Sequence, residues 1–267
     1  MNDFRRVLIH PGFHKTGTST TQHFLWRNKS RIESRAHLFM LRHLKPVASL
    51  ALRFSKTGNP LVLLDMSEAL DQIFADVPED GRDILISCEG LSGHLPGWPG
   101  VADYSAAPVI LSYLVGFLSN RFATDDVRVT LTTRDPVHWL WSAYRHHLRG
   151  HRMVLDWPAF QAQFSAAADF APIVAAMASD LRRAPTLLPL EQAQTHPQGP
   201  GGALLASFDW PDPLDGWETV APGNLGPDDD LWPEFLRLNR SDLTDDALKA
   251  EKDRLSKQAG LAGWTRG

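Results

Sequence analysis

The chain has 267 residues, of which 43% are hydrophobic and 22% are charged, so it can bury a sizeable core and fold over most of its length. Its formal net charge of −4 excludes a general attraction to nucleic acid or to an anionic membrane, and any basic site must therefore be local. The single cysteine, Cys88, excludes a disulfide within the chain and favours a reducing compartment.

The sequence shows no targeting or membrane segment. No apolar core followed by a cleavage site is present near the N-terminus, and the longest apolar stretch, residues 106–118, is too short to span a bilayer. We therefore expect a cytoplasmic protein with no membrane insertion and no nucleic-acid partner.

An apolar run at residues 7–9 stops at a Pro-Gly pair and is followed by a hydroxyl-rich segment of helical composition. This pattern predicts a strand, a tight loop and a helix over residues 20–34. The side chains expected to be buried in that helix are Phe24, Leu25 and Trp26. Residues 38–54 predict two short helices around Pro46. Ser67 is expected to cap a helix that ends at residues 80–81.

The rest of the chain continues to alternate between strands and helices. Strands are predicted at residues 84–86, 127–133 and 185–191. Helices are predicted at residues 107–122, 136–150, 157–168, 170–183, 201–210, 231–238 and 242–259. The Pro-, Gly- and Asp-rich residues 211–230 are the best linker or lid candidate.

This alternation predicts an α/β fold, with a parallel sheet flanked by helices and a helical C-terminal part. We expect a single domain, in which residues 1–150 form the core that carries the binding site and residues 151–267 complete it. Ligands of such sheets bind beyond the carboxyl ends of the strands. The segments after the first three predicted strands should therefore meet at one rim.

The segment after the first strand has the chemistry of an anion site. Backbone N–H groups at a helix start, the ammonium of Lys15 and the hydroxyls of Thr18, Ser19 and Thr20 all suit a phosphate or a sulfate. The order differs from the common nucleotide-binding pattern G-x-x-x-x-G-K-[ST], because the lysine precedes the glycine by two positions.

The motif K-T-G-T-S directly after a strand resembles the phosphosulfate-binding loop of the sulfotransferases that use 3′-phosphoadenosine 5′-phosphosulfate (PAPS), and H-K-T-G-T-S-T is most similar to small bacterial members. The resemblance implies a P-loop-type, sulfotransferase-like fold with PAPS as donor. The residues that it assigns to the donor are Lys15, Thr16, Gly17, Thr18, Ser19 and Thr20.

A second motif supports the resemblance. Arg134 follows a predicted strand, and Ser142 lies eight positions later on the next helix, within R-D-P-V-H-W-L-W-S-A-Y. In the family, an arginine and a serine at this spacing hold the 3′-phosphate of the nucleotide. An arginine can bind a phosphate through two parallel hydrogen bonds.

Sulfuryl transfer requires alignment of the reactants, stabilisation of the departing phosphate and a base for the proton of the acceptor. Lys15 is expected to stabilise the leaving group. Glu89 is the first candidate for the base, because a His or Glu often lies at the corresponding strand end in the family. His14 and His94 are alternatives, and His94 is also a candidate acceptor-side residue because G-H-L-P is similar to a family motif.

Several points stay open at this level. The C-terminal R-K-G motif that contacts the 3′-phosphate in many cytosolic members is absent at residues 257–260. The acceptor, a small molecule or a glycan, and the oligomeric state cannot be read from the sequence. The alternatives are a small-molecule kinase or other NTPase with an atypical phosphate loop, and a nucleotide-binding regulatory domain without catalysis. The sulfotransferase mechanism requires no metal.

Overall fold

The architecture was derived from a computed structural model, in which residues 5–210, 214–221 and 231–259 are described. Over these ranges the chain forms an α/β fold, with a parallel sheet flanked by helices. Among the helices of these ranges, none combines the length and the apolar character that a membrane crossing requires.

The central sheet has five strands, and every neighbouring pair is parallel. The strands are β1 (Val7–His10), β2 (Ala36–Met40), β3 (Asp83–Ser87), β4 (Val127–Thr133) and β5 (Thr186–Pro189). Their order in the sheet is β2-β3-β1-β4-β5. β1 is therefore central, and all four of its residues are buried, as expected for a parallel strand covered on both faces.

Helices follow most strands. In chain order they are α1 (Thr18–Arg27), α2 (Lys29–Glu33), α3 (Leu41–Thr57), α4 (Leu61–Phe74), α5 (Ala107–Arg121), α6 (Pro136–Gly150), α7 (Trp157–Phe164), α8 (Ala171–Asp180), α9 (Leu190–Ala193), α10 (Gly199–Ser207), α11 (Leu231–Asn239) and α12 (Asp245–Gln258). Short 3-10 helices lie at Glu89–Ser92 and Ser165–Ala168.

The two faces of the sheet contribute to two hydrophobic cores. Because successive side chains of a strand point to opposite faces, Val7 and Ile9 lie in the larger core, and Leu8 lies in the smaller one. The larger core contains buried side chains of α3, α4, α5 and α6. The smaller core contains buried side chains of α1 and α10. The sheet is therefore packed against helices on both of its faces.

The strands predicted at residues 84–86 and 127–133 are confirmed as β3 and β4, and the helix predicted over residues 136–150 is confirmed as α6. The strand predicted within residues 185–191 is confirmed as β5. Of the predicted linker, residues 211–213 and 222–230 lie outside the described residues.

Residues 38–54 do not form two short helices, and that prediction was wrong. The chain first adds the edge strand β2 and then a single helix, α3, that continues through Pro46. An interior proline costs a helix about 3 kcal/mol, but Pro46 is exposed, and α3 buries five apolar side chains against the larger core. The burial outweighs the local cost.

Three smaller predictions were also wrong. Ser67 lies inside α4, which begins earlier because Val62 and Leu63 are buried, and the helix ends at Phe74. The helix predicted over residues 20–34 is divided at Asn28, whose side chain donates to the carbonyl oxygen of Phe24. Trp26 is not buried, since 44% of its surface is exposed.

Candidate functional site

The predicted convergence at the sheet rim is confirmed. β3, β1 and β4 are neighbours, and His10 at the end of β1 lies beside Ser87 at the end of β3. The loop of residues 11–17, the 3-10 helix Glu89–Ser92 and Arg134 therefore start from the same edge. We call this loop the anion loop.

The anion loop is held by side chains that bind its carbonyl groups. Four consecutive carbonyl oxygens accept a side-chain hydrogen bond, and three of the donors lie far away in sequence. The pairs are Ser92 Oγ to Gly12 O at 2.7 Å, Thr16 Oγ1 to Phe13 O at 2.5 Å, Trp139 Nε1 to His14 O at 2.8 Å and Arg134 Nη1 to Lys15 O at 3.1 Å. Carbonyl oxygens repel an anion, and these four are directed to protein donors.

Two glycines permit this backbone path. Gly12 and Gly17 have φ of 59° and 89°, in the left-handed region that side chains disfavour. A Cβ atom at Gly17 would lie 2.5 Å from Cδ1 of Leu190, and one at Gly12 would lie 2.5 Å from Cγ2 of Thr18. Lys15 also has a positive φ, of 68°. A non-glycine residue in this conformation carries strain, which is often found where a ligand is bound.

α1 begins directly after the loop. Gly17 is its N-cap residue and provides no side chain, so the helix starts at Thr18, Ser19 and Thr20. The first-turn amides of a helix have no acceptor within the helix and carry the positive end of its dipole. The structure therefore brings the predicted hydroxyl and amide donors to the rim, beside Lys15.

Positive charge is concentrated around Lys15. Burial, followed by the positive charge of Arg134, lowers the pKa of Lys15 to about 8, whereas the negative charge of Glu89 acts to raise it. Arg145 and Arg149 act in the same direction as Arg134. Neighbouring positive charges repel one another, and a bound anion would offset this repulsion.

Arg145 and Arg149 were not singled out from the sequence. They follow Ser142 by three and seven positions on α6, so the three side chains share one helix face. This spacing was the available signal. Ser142 is half-buried, about two turns into α6.

Arg134 joins the two predicted motifs through its hydrogen bond to the anion loop. Burial lowers its pKa, and the negative charges of Glu191 and Asp135 act in the opposite direction. The carboxylate of Asp135 caps α6 by accepting from the backbone N–H of His138 at 3.0 Å. Arg134 is therefore held at the start of the helix that carries Ser142.

A cavity of about 400 Å³ lies next to Arg134. Its walls are largely apolar and include Phe170, Val174 and Leu187. Arg134 is also one of the lining residues. A largely apolar space beside an arginine has the chemistry to accept a flat heterocycle that carries a negative group.

Glu89 begins the 3-10 helix that follows β3. Its Oε2 accepts a hydrogen bond from Nε2 of Gln22 on α1, at 2.9 Å, which fixes the carboxylate at the rim. The negative charge of Glu89 raises the pKa of both Lys15 and His14. The three predicted catalytic residues are thus brought together.

His14 forms two hydrogen bonds with the buried Tyr104, another residue that the sequence did not single out. The backbone N–H of His14 donates to the Tyr104 hydroxyl oxygen at 3.1 Å, so that hydroxyl can donate its own proton to Nδ1, at 3.3 Å. Burial lowers the pKa of His14, which favours the neutral ring. When the hydroxyl donates to Nδ1, the proton of the neutral ring lies on Nε2, which is then a donor.

His94 lies further along the rim, toward α3. Its backbone N–H donates to Oγ of Ser55 at 3.0 Å, and its ring centre is 5.4 Å from that of Trp98. Burial lowers the pKa of His94 to about 4, with smaller contributions from Lys56 and His14. Its electrostatic coupling to His14 indicates that the two histidines belong to one region.

A row of buried polar side chains below the anion loop was also missed. His10 contacts Oγ of Ser87 at 2.9 Å through Nδ1 and Oγ1 of Thr132 at 3.4 Å through Nε2, and Thr132 contacts Oγ1 of Thr16 at 2.6 Å. Burial lowers the pKa of His10 to about 4. The sequence signal that could have revealed this row is a polar residue near the carboxyl end of each of the strands β1, β3 and β4.

Within the described residues, no group of three or more His, Cys, Asp or Glu side chains is arranged to hold a metal ion. Comparison with known proteins gave no match: no family model fits the chain, and no curated protein and no solved structure is significantly similar to it.

Proposed function

We propose that the protein is a sulfotransferase of P-loop type that moves a sulfuryl group from PAPS to a hydroxyl or amine. One observation carries the proposal. The two motifs that resemble the PAPS-dependent family are 119 positions apart at Lys15 and Arg134, and they contact each other through a 3.1 Å hydrogen bond. An incidental match of two short motifs would not require them to be neighbours.

The donor would lie along the carboxyl ends of β1 and β4. The anion loop and the first turn of α1 supply amides and hydroxyls for the phosphosulfate end. Arg134 and Ser142 are the candidate ligands of the 3′-phosphate, and the apolar cavity beside Arg134 suits the adenine ring. Arg145 and Arg149 of α6 would add positive charge to the site, in a chain that lacks the family's C-terminal basic motif.

The reaction would form a bond from the acceptor oxygen or nitrogen to sulfur and break the bond from sulfur to the 5′-phosphate oxygen. The acceptor proton would pass to Glu89, which Gln22 holds in position. Lys15 and the loop amides would stabilise the negative charge that develops on the departing phosphate. Adenosine 3′,5′-bisphosphate and the sulfated acceptor would be the products.

The hydrogen bonds favour Glu89 over His14 as the base. In the tautomer in which Tyr104 donates to Nδ1, His14 carries a donor at Nε2, whereas a base needs an unprotonated nitrogen facing the acceptor. We assign His14 the role of a hydrogen-bond donor to the transferred group. We assign His94 to the side of the site that binds the acceptor.

The proposal is tested by calorimetric titration of the protein with adenosine 3′,5′-bisphosphate, ADP and ATP. We expect the bisphosphate to bind most tightly, and Arg134→Ala to weaken it at least tenfold, because charge-assisted hydrogen bonds contribute about 1.5–3 kcal/mol. The matched control is Arg254→Ala, which removes an exposed arginine on α12.

Stronger binding of ATP, unchanged by Arg134→Ala, would contradict the proposal and favour the kinase alternative. Tight binding of the bisphosphate with no turnover against a panel of hydroxyl and amine acceptors, and no effect of Glu89→Gln on any rate, would favour the non-catalytic regulatory domain.

A further inference from the structure

One surface next to the site has a charge opposite to that of the whole chain. The 17 residues of α3 contain no Asp or Glu, although the protein has a net charge of −4. Four basic side chains of the helix are exposed, namely Arg42, Lys45, Arg53 and Lys56. We call these four residues the α3 basic stripe.

The stripe is continuous along one face of the helix. At 3.6 residues per turn, its four positions fall within a sector of about 80°, and its ends are about 21 Å apart along the axis. Arg53 pairs with Asp65 of α4 at 3.6 Å. The two lysines of the stripe, Lys45 and Lys56, are both exposed.

α3 lies across the rim of the sheet, beside Glu89. The helix begins directly after the carboxyl end of β2, and Gly90 packs so closely on it that a Cβ atom would lie 2.9 Å from that of Ala48. Near the other end of the helix, Ser55 accepts the backbone N–H of His94. The helix that carries the stripe is therefore packed, through Ala48 and Ser55, against the segment that contains Glu89 and His94.

A tryptophan lies at each end of the stripe. The guanidinium of Arg42 is 4.0 Å from the ring centre of the exposed Trp26, and the ammonium of Lys29 is 5.4 Å from the same ring. At the other end, the ammonium of Lys56 is 5.8 Å from the ring centre of Trp98. Trp26 is exposed and Trp98 is partly buried. Accessible aromatic rings can stack on the flat faces of a ligand, and neighbouring cations can bind its negative groups.

We propose that the acceptor is an acidic oligosaccharide that lies along the α3 basic stripe. Its carboxylate or sulfate groups bind Lys45 and Lys56, its sugar rings contact the two tryptophans, and one of its hydroxyls reaches Glu89. The inference depends on the proposed function for the transfer step, but binding to the stripe is measured separately. An oligosaccharide is favoured because it combines repeated negative charge with the hydroxyl that the reaction needs.

The test is calorimetric titration with hexagalacturonic acid and, as a neutral probe, maltohexaose. We expect the acid to bind and the neutral sugar to bind at least tenfold more weakly. The double variant Lys45→Glu with Lys56→Glu should weaken binding of the acid at least tenfold, and added salt should weaken native binding. The matched control is Lys249→Glu with Lys257→Glu, which changes the same charge on exposed positions of α12.

Adenosine 3′,5′-bisphosphate is titrated into all three proteins. Unchanged nucleotide affinity in the stripe variant shows that the fold and the donor site are intact, so a loss of sugar binding then supports the stripe. Native protein that binds the bisphosphate but not hexagalacturonic acid would overturn the acceptor proposal and leave the proposed function standing. Failure to bind the bisphosphate, with stripe-dependent sugar binding, would reject only the sulfotransferase.

Three other outcomes would also overturn the inference. They are equal loss of sugar binding in the control variant, tighter stripe-dependent binding of a twelve-nucleotide oligothymidine, and tighter stripe-dependent binding of phosphatidylglycerol vesicles. The last two would assign the surface to a nucleic acid or to a membrane.

Discussion

The guanidinium of Arg134 donates a hydrogen bond to the carbonyl oxygen of Lys15, so the end of β4 is tied to the anion loop after β1. Arg134→Lys keeps the positive charge but loses the planar fork. We expect this variant to bind adenosine 3′,5′-bisphosphate at least tenfold more weakly and ADP only slightly more weakly, because ADP lacks the 3′-phosphate. Parallel titrations with both nucleotides measure the difference, and equal losses for both would show that Arg134 acts only through the loop.

The affinity for the bisphosphate should fall as the pH rises. Burial and the positive charge of Arg134 lower the pKa of Lys15 to about 8, and the anion binds best when that lysine is protonated. Raising the pH from 7 to 9 removes the proton from most of the free protein, so the affinity should fall about tenfold. Titrations at several pH values measure this slope.

Lys15→Gln is the control for that slope. The variant should bind more weakly at pH 7 and lose most of the dependence between pH 7 and 9. A slope that is the same in both proteins would show that another group is responsible.

Part of this architecture followed directly from the sequence. Buried parallel strands often contain short apolar runs, and β3 was identified in that way, whereas β4 was identified from a run of seven residues in which Val and Leu alternate with Arg and Thr. Pro136 marked the start of α6 because a first-turn proline is a local signal. Strand ends in a parallel sheet share an edge, so the meeting of Lys15, Glu89 and Arg134 could be predicted without coordinates.

Other parts depend on contacts between distant segments. β2 was missed because it is a short edge strand, and its extended conformation depends on pairing with β3. Tyr104 lies 90 positions from His14, and its hydroxyl contacts the ring of His14 only because the fold brings the two together. In the sequence, Arg145 and Arg149 have the appearance of ordinary charged residues on a helix. Their electrostatic effect on the anion loop is apparent only in the structure, where their positive charges contribute to lowering the pKa of Lys15.

Tyr104→Phe should change the tautomer of His14. Without the hydroxyl, Nδ1 loses its donor and the backbone N–H loses its acceptor. We expect the ring-nitrogen chemical shifts of His14 to indicate a proton on Nε2 in the native protein and a mixture of tautomers in the variant. The unfolding free energy should fall by about 1–3 kcal/mol, because a buried donor is left unpaired.

Heteronuclear NMR of protein labelled with ¹⁵N-histidine measures the tautomer without any knowledge of the acceptor. Tyr113→Phe is the control, since it removes a hydroxyl that contacts Ser67 on α4, away from the anion loop. An unchanged tautomer of His14 in Tyr104→Phe would remove the argument for His14 as a donor and return it to the candidates for the base.

Gly17→Ala should damage both the fold and the anion site. The new methyl group would lie 2.5 Å from Cδ1 of Leu190, at a φ of 89°. We expect a loss of about 1–3 kcal/mol in the unfolding free energy, and at least tenfold weaker binding of the bisphosphate. Gly58→Ala is a close control, because Gly58 has a φ of 58° and no atom would lie within 4 Å of its Cβ.

A second variant separates the two causes of that damage. In Gly17→Ala combined with Leu190→Ala, the steric contact is removed but the backbone strain stays, so part of the loss should be recovered relative to the two single variants. No recovery would assign the whole effect to backbone strain.

His10 should make the protein sensitive to acid. Burial lowers its pKa in the folded state to about 4, while the unfolded chain keeps a value near 6.5. Between these values the unfolded chain binds more protons, so stability falls as the pH falls, by about 3 kcal/mol in total for this residue. His10→Asn should be less stable at pH 7, because its contacts with Ser87 and Thr132 are lost, but its stability should fall less steeply between pH 6.5 and 4. Urea unfolding at several pH values measures both effects, with the exposed His23→Asn as control. If His10→Asn kept the full native slope, His10 would titrate normally in the folded protein, and the buried polar row would have to be partly hydrated.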